Sequence, residues 1–342
     1  MGFLRSASGP RRLSAVQPER RGSIDVYLSA EHFREALERD VRVGLGRPDG
    51  KWLPPVWFYD ARGSQLFEEI TRLPEYYLTR AERRLLSEFA GDIAERSGAD
   101  TLIELGAGSC EKSRILLDAL SDAKTLETYI PLDVSEPTLV DAATSLRRDY
   151  PDISVLPIVA DFIEHLDRIP RSGRRLIIFL GSTIGNLAPD KRGRFLFDVD
   201  CTMAHEDSFL LGVDLVKDRS RLVAAYDDAA GVTAEFNRNV LLVLNRELDA
   251  NFDPEQFEHV AVWNEEQSHI EMRLRSLLDQ SVKIAKLDLD IHFARNEELL
   301  TETSAKFTAE AVEKELGAAG LCVEKVWQDP EGFLLALASP YC

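Results

Sequence analysis

The chain has 342 residues, with 59 acidic against 41 basic side chains and a formal net charge of −18. A negative surplus of that size repels nucleic-acid backbones and acidic membrane surfaces, and no apolar run approaches the length of a bilayer span. The length exceeds that of one ordinary compact domain, so two domains, or one with a large insertion, are expected.

Residues 1–25 carry Arg5, Arg11, Arg12, Arg20 and Arg21 among serines and prolines, without the apolar core of a secretory signal. A disordered basic extension is expected, with an organellar transit peptide as the alternative. Ordered structure begins with a helix from Tyr27 to Leu37, entered through Ser29. An aromatic segment, Lys51 to Tyr59, leads into a second helix ending at Ile70. The turn around Tyr76 and Tyr77 follows, and Thr79 is placed to cap a helix from Arg80 to Phe89.

From Asp100 the chain alternates strand and helix. Strands are expected at Leu102 to Leu105, Tyr129 to Val134, Ser154 to Val159, Arg175 to Gly181 and Ser208 to Val213, a βαβ rhythm that predicts a parallel, doubly wound sheet. After Asp214 the rhythm breaks. Helices from Ser220 to Tyr226 and from Thr233 to Leu248 precede two extended alternating segments, Val260 to Leu274 and Val282 to Phe293, as in antiparallel strands of a second, α+β unit. A helix capped by Thr308 and strands Cys322 to Gln328 and Gly332 to Ala338 return the chain to the first unit. The fold class is therefore α/β: a Rossmann-like domain from 81–216 and 307–342, and a substrate-binding domain from 26–80 and 217–306.

The polar residues gather at the carboxyl ends of the strands, where open α/β sheets bind ligands. Thr101 to Leu105 runs into Gly106-Ala-Gly108 and then a helix, but Cys110 and Glu111 follow where a dinucleotide fingerprint soon requires a third glycine. Glu104, two glycines and the later Asp133 suit a cofactor with a ribose and a cationic amino-acid tail, which describes S-adenosylmethionine; a nicotinamide cofactor or a purely structural turn are the alternatives. Asp133 is placed to take ribose hydroxyls, and Asp161-Phe162 to meet a base, although a strand-end Asp is often only a cap. Lys112, unhelped by the dipole of the helix it opens, calls for a nearby carboxylate. Gly181 to Asn186 follows the fourth strand, where a substrate would meet the cofactor, and Asn186 can donate and accept at once. Tyr76, Tyr77, Tyr226 and Met272 read locally as packed side chains, and Glu302 and Ser304 share a side of an extended segment. The cysteines Cys110, Cys201, Cys322 and Cys342 show no C-x-x-C pairing or metal-ligand spacing, so free thiols, a cytoplasmic location and no metal are expected.

Together the motifs Tyr59-Asp-Ala-Arg-Gly-Ser-Gln-Leu-Phe67, Ile70-Thr-Arg-Leu-Pro-Glu-Tyr-Tyr-Leu-Thr-Arg80, Glu104-Leu-Gly-Ala-Gly-Ser-Cys-Glu-Lys-Ser113, Phe179-Leu-Gly-Ser-Thr-Ile-Gly-Asn-Leu187, Gly212-Val-Asp-Leu-Val-Lys-Asp218, Ala225-Tyr-Asp-Asp-Ala-Ala-Gly-Val-Thr-Ala-Glu-Phe-Asn237 and Ile270-Glu-Met-Arg-Leu274 give the chain a close likeness to one family. From about Tyr27 to the C-terminus it resembles the histidine N-alpha-methyltransferases of ergothioneine biosynthesis. The resemblance implies transfer of methyl groups from S-adenosylmethionine to the α-amino nitrogen of L-histidine, giving the betaine hercynine. It places Tyr59, Gly106, Lys112, Asp133, Asp161 and Phe162 around the cofactor. It places Tyr76, Gly181, Asn186, Tyr226, Met272, Glu302 and Ser304 around histidine; of these, Tyr76 with Asn186 is expected to be catalytic, orienting the amine and passing its proton to water. A monomer acting on a small molecule is expected. The rival readings are a relative that methylates another amino acid or amine, and a cofactor-binding regulator without turnover.

Overall fold

The computed structural model describes residues 19–21, 24–47 and 50–340. Residues 1–18, 22 and 23 of the expected basic extension lie outside the described residues. Strands β1 (Glu19–Arg21) and β2 (Ile24–Val26) pair antiparallel. Helix α1 (Ala30–Leu45) follows, capped as expected by Ser29 Oγ, which accepts from His32 N at 3.2 Å. A short strand β3 (Lys51–Trp52) and a 3-10 turn lead to α2 (Ala61–Ile70), whose cap Asp60 accepts from Gly63 N at 2.8 Å. Helix α3 (Leu78–Ser97) stops where Gly98 turns left-handed at φ +52°. Thr79 does not cap it: the helix starts two residues earlier than expected, at the buried Leu78, so Thr79 lies inside it.

The alternating region is β4 (Thr101–Leu105), α4 (Arg114–Asp122), β5 (Thr128–Asp133), α5 (Glu136–Asp149), β6 (Ser154–Val155), β7 (Ile158–Val159), β8 (Arg175–Phe179), α6 (Pro189–Thr202) and β9 (Ser208–Asp214). The single strand expected across Ser154 to Val159 is divided, because Pro157 has no N–H to give a ladder. Next come α7 (Arg219–Ala224), α8 (Val232–Leu248), β10 (Phe257–Asn264), β11 (His269–Ser276), β12 (Gln280–Ile284), β13 (Leu289–Phe293) and β14 (Glu298–Ala305). Each extended segment expected there is a hairpin, reversed near Ser268 (φ +50°) in one case and Asp288 (φ +48°) in the other. Helix α9 (Ala309–Ala318), β15 (Cys322–Gln328) and β16 (Phe333–Ser339) close the chain.

The large sheet runs β1-β2-β7-β5-β4-β8-β9-β16-β15, with β6 beside β5. It is parallel from β2 to β9 and antiparallel in the closing hairpin, the doubly wound arrangement expected. The placement of β2 corrects the view of residues up to 25 as an unstructured extension. Ile24 and Val26 are buried either side of Asp25, and this alternation seats the segment on the sheet edge beside β7. A second sheet, β10-β11-β14-β3, is built mostly from the insertion, and the early strand β3 joins it parallel to β14. Leu215 bridges Phe307, so the chain leaves and re-enters the large sheet at adjoining points.

Apolar side chains cover both faces of the large sheet. On one face Leu102, Leu176 and Leu210 belong to a cluster that continues through Phe58 and Phe236 to Phe257 and Ile270 of the second sheet. On the other, Ile103, Ile177 and Phe209 pack under α6 and α9. The two units therefore share one core, held by burial worth about 1.5–3 kcal/mol for each large side chain. Cys110 and Cys201 are free thiols, whereas Cys322 is disulfide-bonded, which corrects the expectation of free thiols throughout; Cys342 lies outside the described residues. No described helix is long and apolar enough to cross a membrane.

Candidate active site

The turn after β4 contains three left-handed residues, Gly106 (φ +72°), Gly108 (φ +52°) and Cys110 (φ +58°). Gly106 N and Ala107 N both donate to Leu132 O, at 2.9 and 3.0 Å, which fastens the turn to the end of β5. There Asp133 Oδ2 accepts from Gly108 N and Oδ1 from Ser135 N, each at 2.9 Å. Burial raises this carboxyl above its ordinary value, and the backbone donors oppose the shift. Phe162 lies over Gly106: a Cβ built on that glycine would stand 3.8 Å from the ring, which packs edge-on against Phe179. Asp161 accepts from Ile163 N at 2.7 Å, so within the chain it serves the turn it begins.

Glu104 points elsewhere. It is buried and accepts from the hydroxyls of Ser113 and Tyr129, holding the start of α4 against β5, with burial pushing its carboxyl up to about 7. The carboxylate expected for Lys112 is Glu82, on α3: Lys112 Nζ donates to Oε2 at 2.5 Å, and Gly181 N donates to Oε1 at 2.7 Å. One buried acid thus joins the glycine turn to the loop after β8. The sequence carried its signal, since Glu82 falls on the buried helical stripe of Leu78, Leu85 and Leu86.

Between the two sheets lies a cavity of about 50 Å³, lined by Tyr59, Tyr76, Gly181, Asn186, Tyr226, Met272, Glu302 and Ser304, with Phe67, Thr233 and Phe236 among the rest. Tyr76 arrives just before α3, and Gly181 and Asn186 from the turn after β8. Tyr226 follows α7, and the pairs Met272–Glu302 and Ile270–Ser304 lie opposite across β11 and β14. Gly185 makes this convergence possible: a Cβ there would meet Ala305 O at 2.8 Å, so only glycine lets the Asn186 turn press onto β14. All seven residues expected around the substrate therefore line one cavity. Tyr59, expected with the cofactor, stands on two. It also lines a neighbouring cleft of about 300 Å³ formed with Val134, Ser135, Leu28 and Phe33, beside Asp133.

Among the described residues, no protein group hydrogen-bonds to the hydroxyls of Tyr59 and Tyr76, the side-chain amide of Asn186 or the carboxyl of Glu302. Tyr76 and Glu302 are buried and Tyr59 and Asn186 half-buried, and all four line the cavity, so their convergence without protein partners marks a place for a polar ligand. Burial raises the phenols of Tyr59, Tyr76 and Tyr226 well above their usual range, which keeps them neutral donors. It also pushes Glu302 up to about 7, against the pull of Lys306.

Behind the cavity is a buried charge network that the sequence reading missed. Lys306 Nζ donates to Tyr226 Oη at 2.8 Å and Ser304 Oγ at 3.0 Å, and pairs with Asp214 Oδ2 at 3.2 Å. Asp214 also accepts from Tyr77 Oη at 2.7 Å and from Lys217, while its own N–H donates to Ser182 Oγ at 3.0 Å. Lys306 continues the alternation of Glu302 and Ser304, and that spacing was the available signal.

A model of the family described as histidine-specific, SAM-dependent methyltransferases matches residues 37–339. The chain is 54% identical over 317 residues to the histidine N-alpha-methyltransferase of Mycolicibacterium smegmatis, covering 92% of this chain and 98% of that protein. It is 51% identical over 320 residues to the histidine N-alpha-methyltransferase of Mycobacterium tuberculosis, covering 93% and 99%. Ergothioneine biosynthesis protein 1 of Schizosaccharomyces pombe is 30% identical over 258 residues, 72% of this chain and 32% of that protein.

Proposed function

This chain belongs to the SAM-dependent, histidine-specific methyltransferase family, and from that premise we propose how its two adjoining clefts divide the work. The enzyme transfers methyl groups from S-adenosylmethionine to the α-amino nitrogen of L-histidine and gives hercynine, an early step of ergothioneine biosynthesis.

The residues beside β4 and β5 fit this cofactor. Gly108 has open space where a Cβ would stand, and Asp133 keeps acceptor positions beyond its two backbone donors, suited to a ribose diol. Phe162 supplies an apolar edge above Gly106, and we assign Lys112, Asp161 and Tyr59 to the same cofactor. When bound, the cofactor supplies a methyl group on a sulfonium for in-line displacement, so alignment and exclusion of water are what the protein must provide.

The single observation that carries the substrate assignment is the convergence on one cavity of Tyr76, Asn186 and Glu302, whose polar side-chain atoms no protein group hydrogen-bonds. Glu302 accepts the imidazole N–H beside Ser304, with Met272 as an apolar wall. Asn186, Tyr76 and Tyr226 hold the amino-acid end, and Gly181 shapes the turn that carries Asn186. Neutral phenols orient the amine through their oxygens and do not act as strong bases; the proton lost before each methylation passes to water. The substrate unit is formed by 26–80 and 217–306 and the cofactor unit by 81–216 and 307–342, and the whole acts as a cytoplasmic monomer.

Calorimetric titration of histidine into protein saturated with S-adenosylhomocysteine tests the site. Asn186→Ala weakens histidine binding by about 1.5–3 kcal/mol, the range for hydrogen bonds to charged groups, while S-adenosylhomocysteine binds as before. Unchanged histidine affinity removes Asn186 from the substrate site.

A further inference from the structure

Lys306 is a lysine with no exposed side-chain surface, an expensive placement unless every proton is used. Its ammonium has three N–H donors, and three acceptors surround it: Tyr226 Oη, Ser304 Oγ and Asp214 Oδ2. Tyr226 and Ser304 also lie 2.8 Å apart, oxygen to oxygen, and both line the substrate cavity. The proton inventory then closes. Both hydroxyl oxygens accept from Lys306, so neither can spend its own proton in that direction. One of their two protons lies between them, and the other is left for the cavity.

Resting on the histidine-binding reading above, we infer that Lys306 is a positioning residue, which fixes the Tyr226 and Ser304 hydroxyls so that they present one O–H donor to the substrate beside the Glu302 acceptor. It touches no reacting atom. Without it the two hydroxyls are free to rotate and to offer lone pairs where the substrate requires a donor. Asp214 does not depend on Lys306 for neutralisation, because Lys217 and Tyr77 remain bound to it.

The test begins with turnover of L-histidine by the unmodified enzyme, which examines the function by itself. Lys306→Met then raises KM for histidine about 10- to 100-fold, the consequence of losing a charge-supported donor, while calorimetry finds S-adenosylmethionine affinity unchanged. Lys306→Gln, which retains N–H donors, gives a smaller rise, and it carries the test where Lys306→Met is recovered unfolded. Lys217→Met removes an equivalent ion pair to Asp214 but touches neither cavity hydroxyl, and it leaves KM unchanged. In the Tyr226→Phe, Ser304→Ala background, Lys306→Met adds less than about a twofold change, since the groups it positions are gone. A histidine KM that is the same in both Lys306 variants as in the unmodified enzyme, or a Lys306→Met effect undiminished in that background, overturns the inference even where histidine turnover itself is confirmed.

Discussion

Glu302 carries its proton up to about pH 7 because burial penalises the ionised form more than Lys306 favours it. The proposed contact needs the ionised form, which accepts the imidazole N–H, so kcat/KM for histidine rises as pH increases through about 7. In Glu302→Gln this limb is lost from the pH–rate profile; a limb unchanged in position and height contradicts the assignment. The same group has an opposite effect on the empty protein. With the folded value raised above the unfolded one, the native state holds the extra proton between about pH 4.5 and 7, and the contribution to stability is lost as pH rises through that window. Thermal denaturation of Glu302→Gln should therefore show a weaker decline than the unmodified protein over that range. Glu302 and Ser304 were legible from their alternate spacing and family likeness. Lys306 was not, because a lysine at a strand end is ordinarily solvated and only the fold reveals Asp214 waiting behind it.

At the scale of elements, function depends on two turns at the carboxyl edge of the sheet, and Glu82 connects them. Gly181 sits at φ +76° with Lys112 Nζ 3.4 Å from where its Cβ would stand. Gly181→Ala should cost about 1–2 kcal/mol in chemical denaturation, the strain of a left-handed side chain, and should weaken histidine binding with it. At the other turn, Asp133→Asn replaces a two-oxygen acceptor by one oxygen and two donors. S-adenosylmethionine affinity should fall by about 1.5–3 kcal/mol by calorimetry, and unchanged affinity would take Asp133 out of the site. The alternation of strand and helix made these turns readable, since each lies where an apolar run ends in glycine. The divided strand at Pro157 and the two hairpins were read as longer segments, because a local apolar period continues across a reversal that only pairing partners define. Glu82 escaped because an acid inside a helix is usually on the wet face, and its partners are far away in sequence.

For the molecule as a whole, the change of rhythm after Asp214 marked the insertion, but nothing local disclosed that both sheets draw on one core running from Leu102 through Phe236 to Phe257. That continuity predicts a single cooperative unfolding transition, seen alike by tryptophan fluorescence and far-ultraviolet circular dichroism; two separated transitions would mean that the units fold independently. The shared core also explains how a cavity between sheets can be preformed, with Gly185 packed against Ala305 and Tyr76 6.2 Å from Tyr226, ring to ring. The most direct test of the central claim, that this cavity reads histidine and holds its amine through repeated methylation, is mass spectrometry of one reaction containing the protein, S-adenosylmethionine and an equimolar mixture of amino acids. The expected result is trimethylated histidine with the other amino acids unchanged, and methylation of a different amino acid in preference to histidine, or histidine left at one methyl group, would contradict it.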